Sequence, residues 1–426
     1  MGLLYWFMIR FSSIQMGSKG RYKWEVLALL WIAFFVNQAD RQVFNVVLPL
    51  IKTDLRLSDV EIGLIATIFN LVYAILVPIG GYVGDRVSQK WIVVLSILFW
   101  SVATMFTGLT NGLLMLIIMR SMATGGGEAF FGPANYALLA KYHRSTRAFA
   151  MSLHQTSYYI GIIVSGYLAG YIGEHWGWRS AFYIFGAIGV IHALVMIFRL
   201  KDKQQEVDAP KEKVRFVEGL RMLLHTPTAM ILTISFSGLI FVLTGYLTWM
   251  PTYLYENFQM SLSKAGFQSM FFTHLFAFFG VIIAGKYSDV IAQKNPGGRL
   301  LLQGGGLLVA APFIILMGNS SQLFLLYIGL AGFGFARAFF DANTYSVLFD
   351  VTPARFHATV SGLMIMTGFL IGSTAPLILG YIKPIFGLSR GISMLSVVWV
   401  FCGLLMLVAY RFFFAKDFMR ANQGAN

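Results

Sequence analysis

The chain has 426 residues, 57% hydrophobic and only 12% charged, with 39 Phe and 43 Gly and a mean hydropathy of +0.70. A soluble domain carries about 25% charged residues, so the composition excludes one and describes a polytopic membrane protein with no soluble domain left over. The single cysteine, Cys402, excludes an internal disulfide and a multi-cysteine metal site, and the basic residues behind the net charge of +14 fall in short loops, where they set topology rather than bind nucleic acid.

Residues 1–23 read as an N-terminal tail. MGLLYWFMIRFSSIQ has no small-residue cleavage site and no Ser or Thr at position 6, so neither a signal peptide nor a myristoylation site is expected; Met16 offers a second start. Apolar runs of ~20 residues then recur, the length of membrane-spanning helices and not of the ~10-residue alternating strands of a barrel. Window hydropathy gives about 12 spans. They lie near 24–50, 60–83, 91–110, 112–141, 146–172, 178–199, 226–256, 263–285, 299–317, 321–351, 356–382 and 390–414. The expected organisation is an all-α chain with a six-helix bundle over 24–200, a linker over 201–225, a second six-helix bundle over 226–415 and a tail over 416–426.

The first span contains Asp40 and Arg41 side by side. An ionised side chain at the bilayer centre costs roughly 2.5–3.5 kcal/mol on insertion scales, and such residues usually mark an ion or substrate pathway. Between spans the loops sort by charge. One set holds Arg86 with Lys90, Lys141 with Arg144 and Arg147, Lys286 with Lys294 and Arg299, the basic linker and both termini. The alternate set is poorer in positive charge: in its first loop Lys52 and Arg56 are offset by Asp54, Asp59 and Glu61. The positive-inside rule places both termini and the linker in the cytoplasm of a cell whose inner (plasma) membrane the chain crosses many times. In the linker, Phe216, Leu220, Leu223 and Leu224 share one helical face, which reads either as an amphipathic helix on the inner leaflet or as a solvated connection.

The two halves repeat. GGYVGDRVSQK after the second span parallels AGKYSDVIAQK after the eighth, aligning Gly81 and Asp85 with Gly285 and Asp289 at one offset. EAFFGPANY from Glu128 parallels RAFFDANTY from Arg337, and LSDVEIG from Leu57 echoes LSKAGFQ from Leu262. Parallel six-span repeats are the internal symmetry of a large transporter class.

GGYVGDRVSQK resembles the loop signature of the major facilitator superfamily, with Gly81, Asp85, Arg86 and Lys90 matching and Ser88 and Gln89 departing. The resemblance covers nearly the whole chain and implies two pseudo-symmetric six-helix bundles, a cavity lined by helices 1, 4, 7 and 10, and alternating access. Asp40-Arg41 in helix 1 with GGGEA at 125–129 in helix 4 resembles two groups of that superfamily. These are the Spinster-like carriers of lipids and amphiphiles and the anion:cation symporters of sugar acids. Both resemblances imply a helix-4 Arg and Glu, here Arg120 and Glu128, usually seven residues apart. Here they are eight apart, which rotates one by about 80° from the other's face unless the glycine run absorbs a bulge.

The expected site follows. Asp40 and Glu128 are the proton-coupling candidates, since a carboxyl in a low-dielectric cavity can load and release a proton near neutral pH. Arg41 competes for the ionised carboxylate and is freed for an anion when it is protonated; a permanent structural pair is the alternative. Arg337, aligned with Glu128, is expected across the cavity from it, either clamping a carboxylate or phosphate or simply paired with Asp341 one turn on. Asn37, Asn135, His154, Tyr158, Tyr246 and Trp249 are candidate substrate contacts, each open also to a packing role. Gly81, Asp85, Arg86, Lys90 and Asp289 are the gating candidates, Gly81 by letting two helices approach, and the first-half loop is expected to be the stronger latch. No Walker motif, His-Glu-x-x-His or Gly-x-Ser-x-Gly pattern occurs, so neither ATP, another cofactor, a metal nor enzymatic chemistry is expected. The expected partners are a small-molecule substrate, a proton and the lipid bilayer, with the chain acting as a monomer. Two cargo readings stay open: a proton-coupled small organic anion, or a lipid or amphiphile.

Overall fold

The computed structural model describes residues 18–84, 87–143, 146–201 and 216–422. Asp85, Arg86, the first 17 residues and linker residues 202–215 lie outside the described residues. The described chain is helical from end to end: α1 Ser18–Leu55, α2 Asp59–Gly84, α3 Gln89–Thr107, α4 Leu113–Tyr142, α5 Arg147–Trp176 and α6 Trp178–Arg199. The short α7, Phe216–Leu224, opens the second half. It is followed by α8 Pro227–Asn257, α9 Leu262–Lys294, α10 Gly298–Asn319, α11 Leu323–Asp350, α12 His357–Gly372, α13 Ala375–Phe412 and α14 Phe414–Asn422.

Among the described residues, nine stretches are long and apolar enough to cross a membrane, and one of them, Ala354–Phe412, carries two spans. The long helices missing from that set are α1 and α5. In α1 the polar run from Asn37 to Asn45 interrupts an otherwise apolar helix. Twelve spans result, as the hydropathy reading expects. They form two six-helix bundles, α1–α6 and α8–α13. The repeat is visible at one backbone detail. Gly177 and Gly387 are the positive-φ glycines among the described residues (φ 81° and 79°), and each joins the last two spans of its half. Only a residue without a Cβ adopts that conformation at little cost.

Local signals set the ends. Ser58 and Glu61 form a capping box on α2: the Ser58 N–H donates to Glu61 Oε2 (2.7 Å) and the Glu61 N–H to Ser58 Oγ (3.2 Å). Ser261 caps α9 by accepting from the Lys264 N–H (3.4 Å). The buried Asp417 of α14 accepts from the Thr228 N–H (2.9 Å) and so pins that short helix to the start of α8. α7 rests on α12 through Gly219 and Leu223, with Phe216, Val217 and Leu224 exposed. Of the four residues expected on one apolar face, Leu223 is buried while Phe216, Leu220 and Leu224 are exposed.

The halves meet along α5 against α9, and along α2 and α1 against α13, α12 and α8. At the end away from the termini these seams are tight. A Cβ on Gly166 would lie 2.4 Å from the Gly266 carbonyl oxygen, and one on Gly63 2.4 Å from that of Pro376. Ion pairs reinforce the closure. Lys383 of the second half binds Asp59 of the first (3.0 Å) and Glu256 of its own (2.8 Å), while Lys52 also binds Asp59 (2.7 Å). Glu174 of α5 accepts from the Leu262 N–H and from Ser263 Oγ, capping α9 across the seam. At the end carrying the termini, the described pairs stay within one half: Arg199 with Glu25, Arg299 with Asp350 and Asp289. Among the described residues, the ion pairs and caps that join the two halves therefore lie at the far end.

Candidate functional site

The interrupted stretch of α1 faces a central cavity of about 330 Å³ between the halves, at the lower end of the range for small-molecule sites. Arg41, Glu128 and Arg120 line it together with Asn37, Phe69, Tyr73 and Tyr158. Successive helical residues point about 100° apart, so Asp40 and Arg41 divide. Arg41 enters the cavity, its Nε 2.5 Å from Glu128 Oε2. Asp40 turns back into the first bundle, fully buried, where Trp100 Nε1 donates to its Oδ2 (2.9 Å).

The eight-residue spacing of Arg120 and Glu128 is resolved by the backbone. Ile117–Thr124 is a π-helical stretch inside α4, an extra residue in the helical turn that is frequent at functional sites. The bulge that the spacing requires therefore exists, but it precedes the glycine run. Arg120 Nη2 donates to the Arg41 carbonyl (3.1 Å), and its guanidinium lies over Phe69 (4.4 Å) and Phe44 (5.4 Å). Arg41 lies over Tyr73 (4.3 Å) and Phe69 (5.5 Å). Aromatic faces attract both cations and hold them beside each other. The glycines do a different job. A Cβ on Gly127 would lie 2.8 Å from Phe99 Cδ1, and one on Gly125 3.1 Å from Phe69, so they let α4 settle between α2 and α3.

Several buried polar atoms here have no partner among the described residues: Asp40 Oδ1, Glu128 Oε1, Arg120 Nε and Nη1, Asn37 Nδ2 and Gln42 Nε2. A buried unsatisfied group costs about 1–3 kcal/mol. A cluster holding both acceptors and cationic donors suits an anion and exchangeable protons.

Other expected residues are placed differently. Asn135 and His154 bond each other (3.0 Å) behind Phe34, on which His154 stacks, rather than at the cavity wall. Tyr246 and Trp249 are core residues of the second half. Tyr246 bonds Ser269 and Thr273, and Trp249 donates to the Pro376 carbonyl (2.9 Å). The α8 face toward the cavity is instead that of Ile240, Thr244, Leu247 and Thr248. Arg337 does not meet Glu128: its Nε lies 3.1 Å from Asp341 on its own helix, as an ion pair without hydrogen-bond geometry. Gly81 makes no close approach here. A Cβ there would meet nothing within 4 Å, whereas one on Gly80 would lie 2.8 Å from the Ala129 carbonyl oxygen. Lys90 donates to the Ile197 carbonyl (3.0 Å), within its own half. Phe69 and Tyr73 escaped the sequence reading, although their four-residue spacing puts them on one face of α2.

A model of the Major Facilitator Superfamily matches residues 30–376. The chain belongs to that superfamily. Among its curated relatives is the probable galactarate/D-glucarate transporter GudP of Bacillus subtilis, 25% identical over 408 residues, covering 88% of this chain and 89% of the relative. A D-galactonate transporter of Escherichia coli O6:H1 is 25% identical over 417 residues, covering 90% and 95%. In fold, this superfamily member is similar to a bacterial homologue of the human lysosomal transporter Spinster in an inward-facing, unoccupied conformation. That match has a TM-score of 0.83 at 23% identity and covers 94% of this chain and 99% of the other. The protein is thus a multi-pass membrane transporter.

Proposed function

We propose that this transporter moves a sugar acid or related small organic anion together with protons, by alternating access. The observation that carries the reading is the Arg41–Glu128 pair with Arg120 beside it on the cavity wall. With Glu128 ionised, Arg41 is occupied by a carboxylate of the protein. With Glu128 protonated, the guanidinium is released to bind a carboxylate of the substrate, and its planar fork suits that geometry. Asp40, buried within electrostatic reach of both Glu128 and Arg120, is the second proton carrier. The names of the curated relatives support the sugar-acid class. The basic loops support cytoplasmic termini in an inner-membrane protein, and the ion pairs joining the halves at the far end support a cavity that opens inward.

A second reading rests on a separate feature. An apolar groove of about 240 Å³ between α2 and α12 shares Tyr73 and Phe369 with the central cavity. A polar cavity continued by an apolar groove suits an amphiphile, with its head at the arginines and its chain along the groove. A thermal-shift screen of the purified protein decides between the two, since a ligand stabilises by mass action. Stabilisation by D-galactonate or galactarate, with uptake of the same acid into proteoliposomes under an imposed proton gradient, supports the first. Stabilisation by lysolipids alone replaces it with the second.

A further inference from the structure

The central cavity is divided by charge. Its charged residues, Arg41, Arg120 and Glu128, all belong to the first half. The second half closes it with Ile240, Leu243, Thr244, Leu247, Thr248 and Phe369. Among the described residues, no cationic side chain of that half lines the cavity. One pole therefore carries two guanidinium groups and the other carries none.

Beside the charged pole, α1 adds a second kind of donor. Asn37, Arg41 and Asn45 recur every four residues and so lie along one face of the helix, with Gln38 and Gln42 at the same spacing next to them. All five line the cavity. The amides bond in pairs: Gln38 Nε2 donates to Asn37 Oδ1 (2.8 Å), and Asn45 Nδ2 to Gln42 Oε1 (3.2 Å). Each pair leaves one amide nitrogen, Asn37 Nδ2 or Gln42 Nε2, without a partner among the described residues. Both residues are buried, 3% and 2% exposed. Arg120 Nε and Nη1 are donors in the same condition. A buried donor left unpaired is costly, and these sit on the wall that a bound molecule meets. The two kinds suit different acceptors. A guanidinium suits a carboxylate. An amide N–H satisfies a hydroxyl oxygen but gives a desolvated carboxylate no countercharge.

We propose that the site takes a hydroxylated acid with a single carboxylate, held by Arg41 and Arg120, while Asn37 and Gln42 donate to the hydroxyls of its chain. This rests on the sugar-acid reading above and deepens it. An aldonate is then preferred over the aldarate of the same skeleton. D-galactonate ends in a CH2OH group where galactarate ends in a second carboxylate. That carboxylate would lie against neutral amides and the uncharged wall of the second half, with no cation to receive it.

Calorimetry of the full-length protein with D-galactonate and galactarate tests this. Wild type prefers D-galactonate by about tenfold or more, the effect of a charge left without a partner. Asn37→Leu removes the amide donor at similar volume, so D-galactonate binding weakens about tenfold, the effect of one hydrogen bond. Asn37→Gln retains a donor on a longer side chain and keeps most of the affinity, an outcome that mere packing of the amide does not give. Gln42→Leu serves as a second variant, with the same tenfold expectation, if Asn37→Leu fails to fold. Equal or tighter binding of galactarate by wild type overturns the single-carboxylate assignment and leaves the sugar-acid reading intact. Unchanged D-galactonate affinity in whichever leucine variant folds overturns the role of the amides. Failure of wild type to bind either acid overturns this inference and the sugar-acid reading together.

Discussion

The two halves carry charge at repeat-related places and use it in opposite ways. In α4, Glu128 reaches the cavity and meets Arg41 from another helix. In α11, the aligned Arg337 pairs with Asp341 one turn away on its own helix and is absent from the cavity lining. The backbone accounts for part of the difference. α4 contains a π-helical stretch and three glycines that let it sink between α2 and α3, whereas α11 is regular over Leu323–Asp350. A repeat therefore keeps position without keeping partners: Glu128 and Arg337 are both buried, but only Glu128 pairs with another helix at the cavity wall among the described residues.

The largest expected effect tests that difference. Glu128→Gln removes the exchangeable carboxylate and takes proton-driven uptake in proteoliposomes to background while sparing substrate exchange. Asp341→Asn, the carboxylate of the other half, leaves proton-driven uptake in place and alters affinity alone. Equal loss of coupling in both variants would erase the distinction between the halves.

Next come the arginines. Arg41→Lys keeps the charge and loses the planar fork, so binding of an organic anion weakens by about 10–100-fold, the worth of a charge-assisted hydrogen bond. Arg337→Lys, beside Asp341 and absent from the cavity lining, costs less than about tenfold. Isothermal titration of both variants with D-galactonate reads the order directly, and a larger loss at Arg337 reverses the assignment of the two poles.

A smaller effect concerns packing. Gly127→Ala puts a Cβ 2.8 Å from the Phe99 ring and lowers stability by about 1–3 kcal/mol through overpacking. Gly81→Ala, with open space around it, stays within about 0.5 kcal/mol. Melting curves of the two proteins in detergent compare them, and an equal fall would remove the argument for the seating of α4.

The smallest expected effect is at the gate. Asp289 is 75% exposed at its side chain and, among the described residues, pairs within its own half, with Arg299. Asp289→Asn should therefore shift the conformational population little, and Asp85→Asn more, because Asp85 is followed by the compact basic set of Arg86 and Lys90. Double electron–electron resonance between labels on the termini-side ends of the two bundles measures the shift. Equal or reversed effects would sink the asymmetry of the latch.

Composition and periodicity determined the class of this molecule. Twelve apolar runs of bilayer length leave little but a helical bundle, because lipid offers no partner for an unpaired backbone group. The repeat of EAFFGPANY and RAFFDANTY was legible for the same reason, being written in contiguous residues. Asp40 and Arg41 were also legible in sequence as candidates, since a charged pair inside a span has few structural excuses, and the structure places Arg41 on the cavity wall. Which of the two meets the cavity, and with what partner, was decided only by tertiary structure. It depends on helix rotation and on a π-helical stretch whose extra residue has no compositional signature. The same holds for Tyr246 and Trp249, polar-tipped aromatics that a helical wheel places on one face without saying which neighbour covers it. Here α9 and α13 cover them, and the cavity wall passes instead to Phe69 and Tyr73 of α2, where two guanidinium groups needed aromatic faces to lie on.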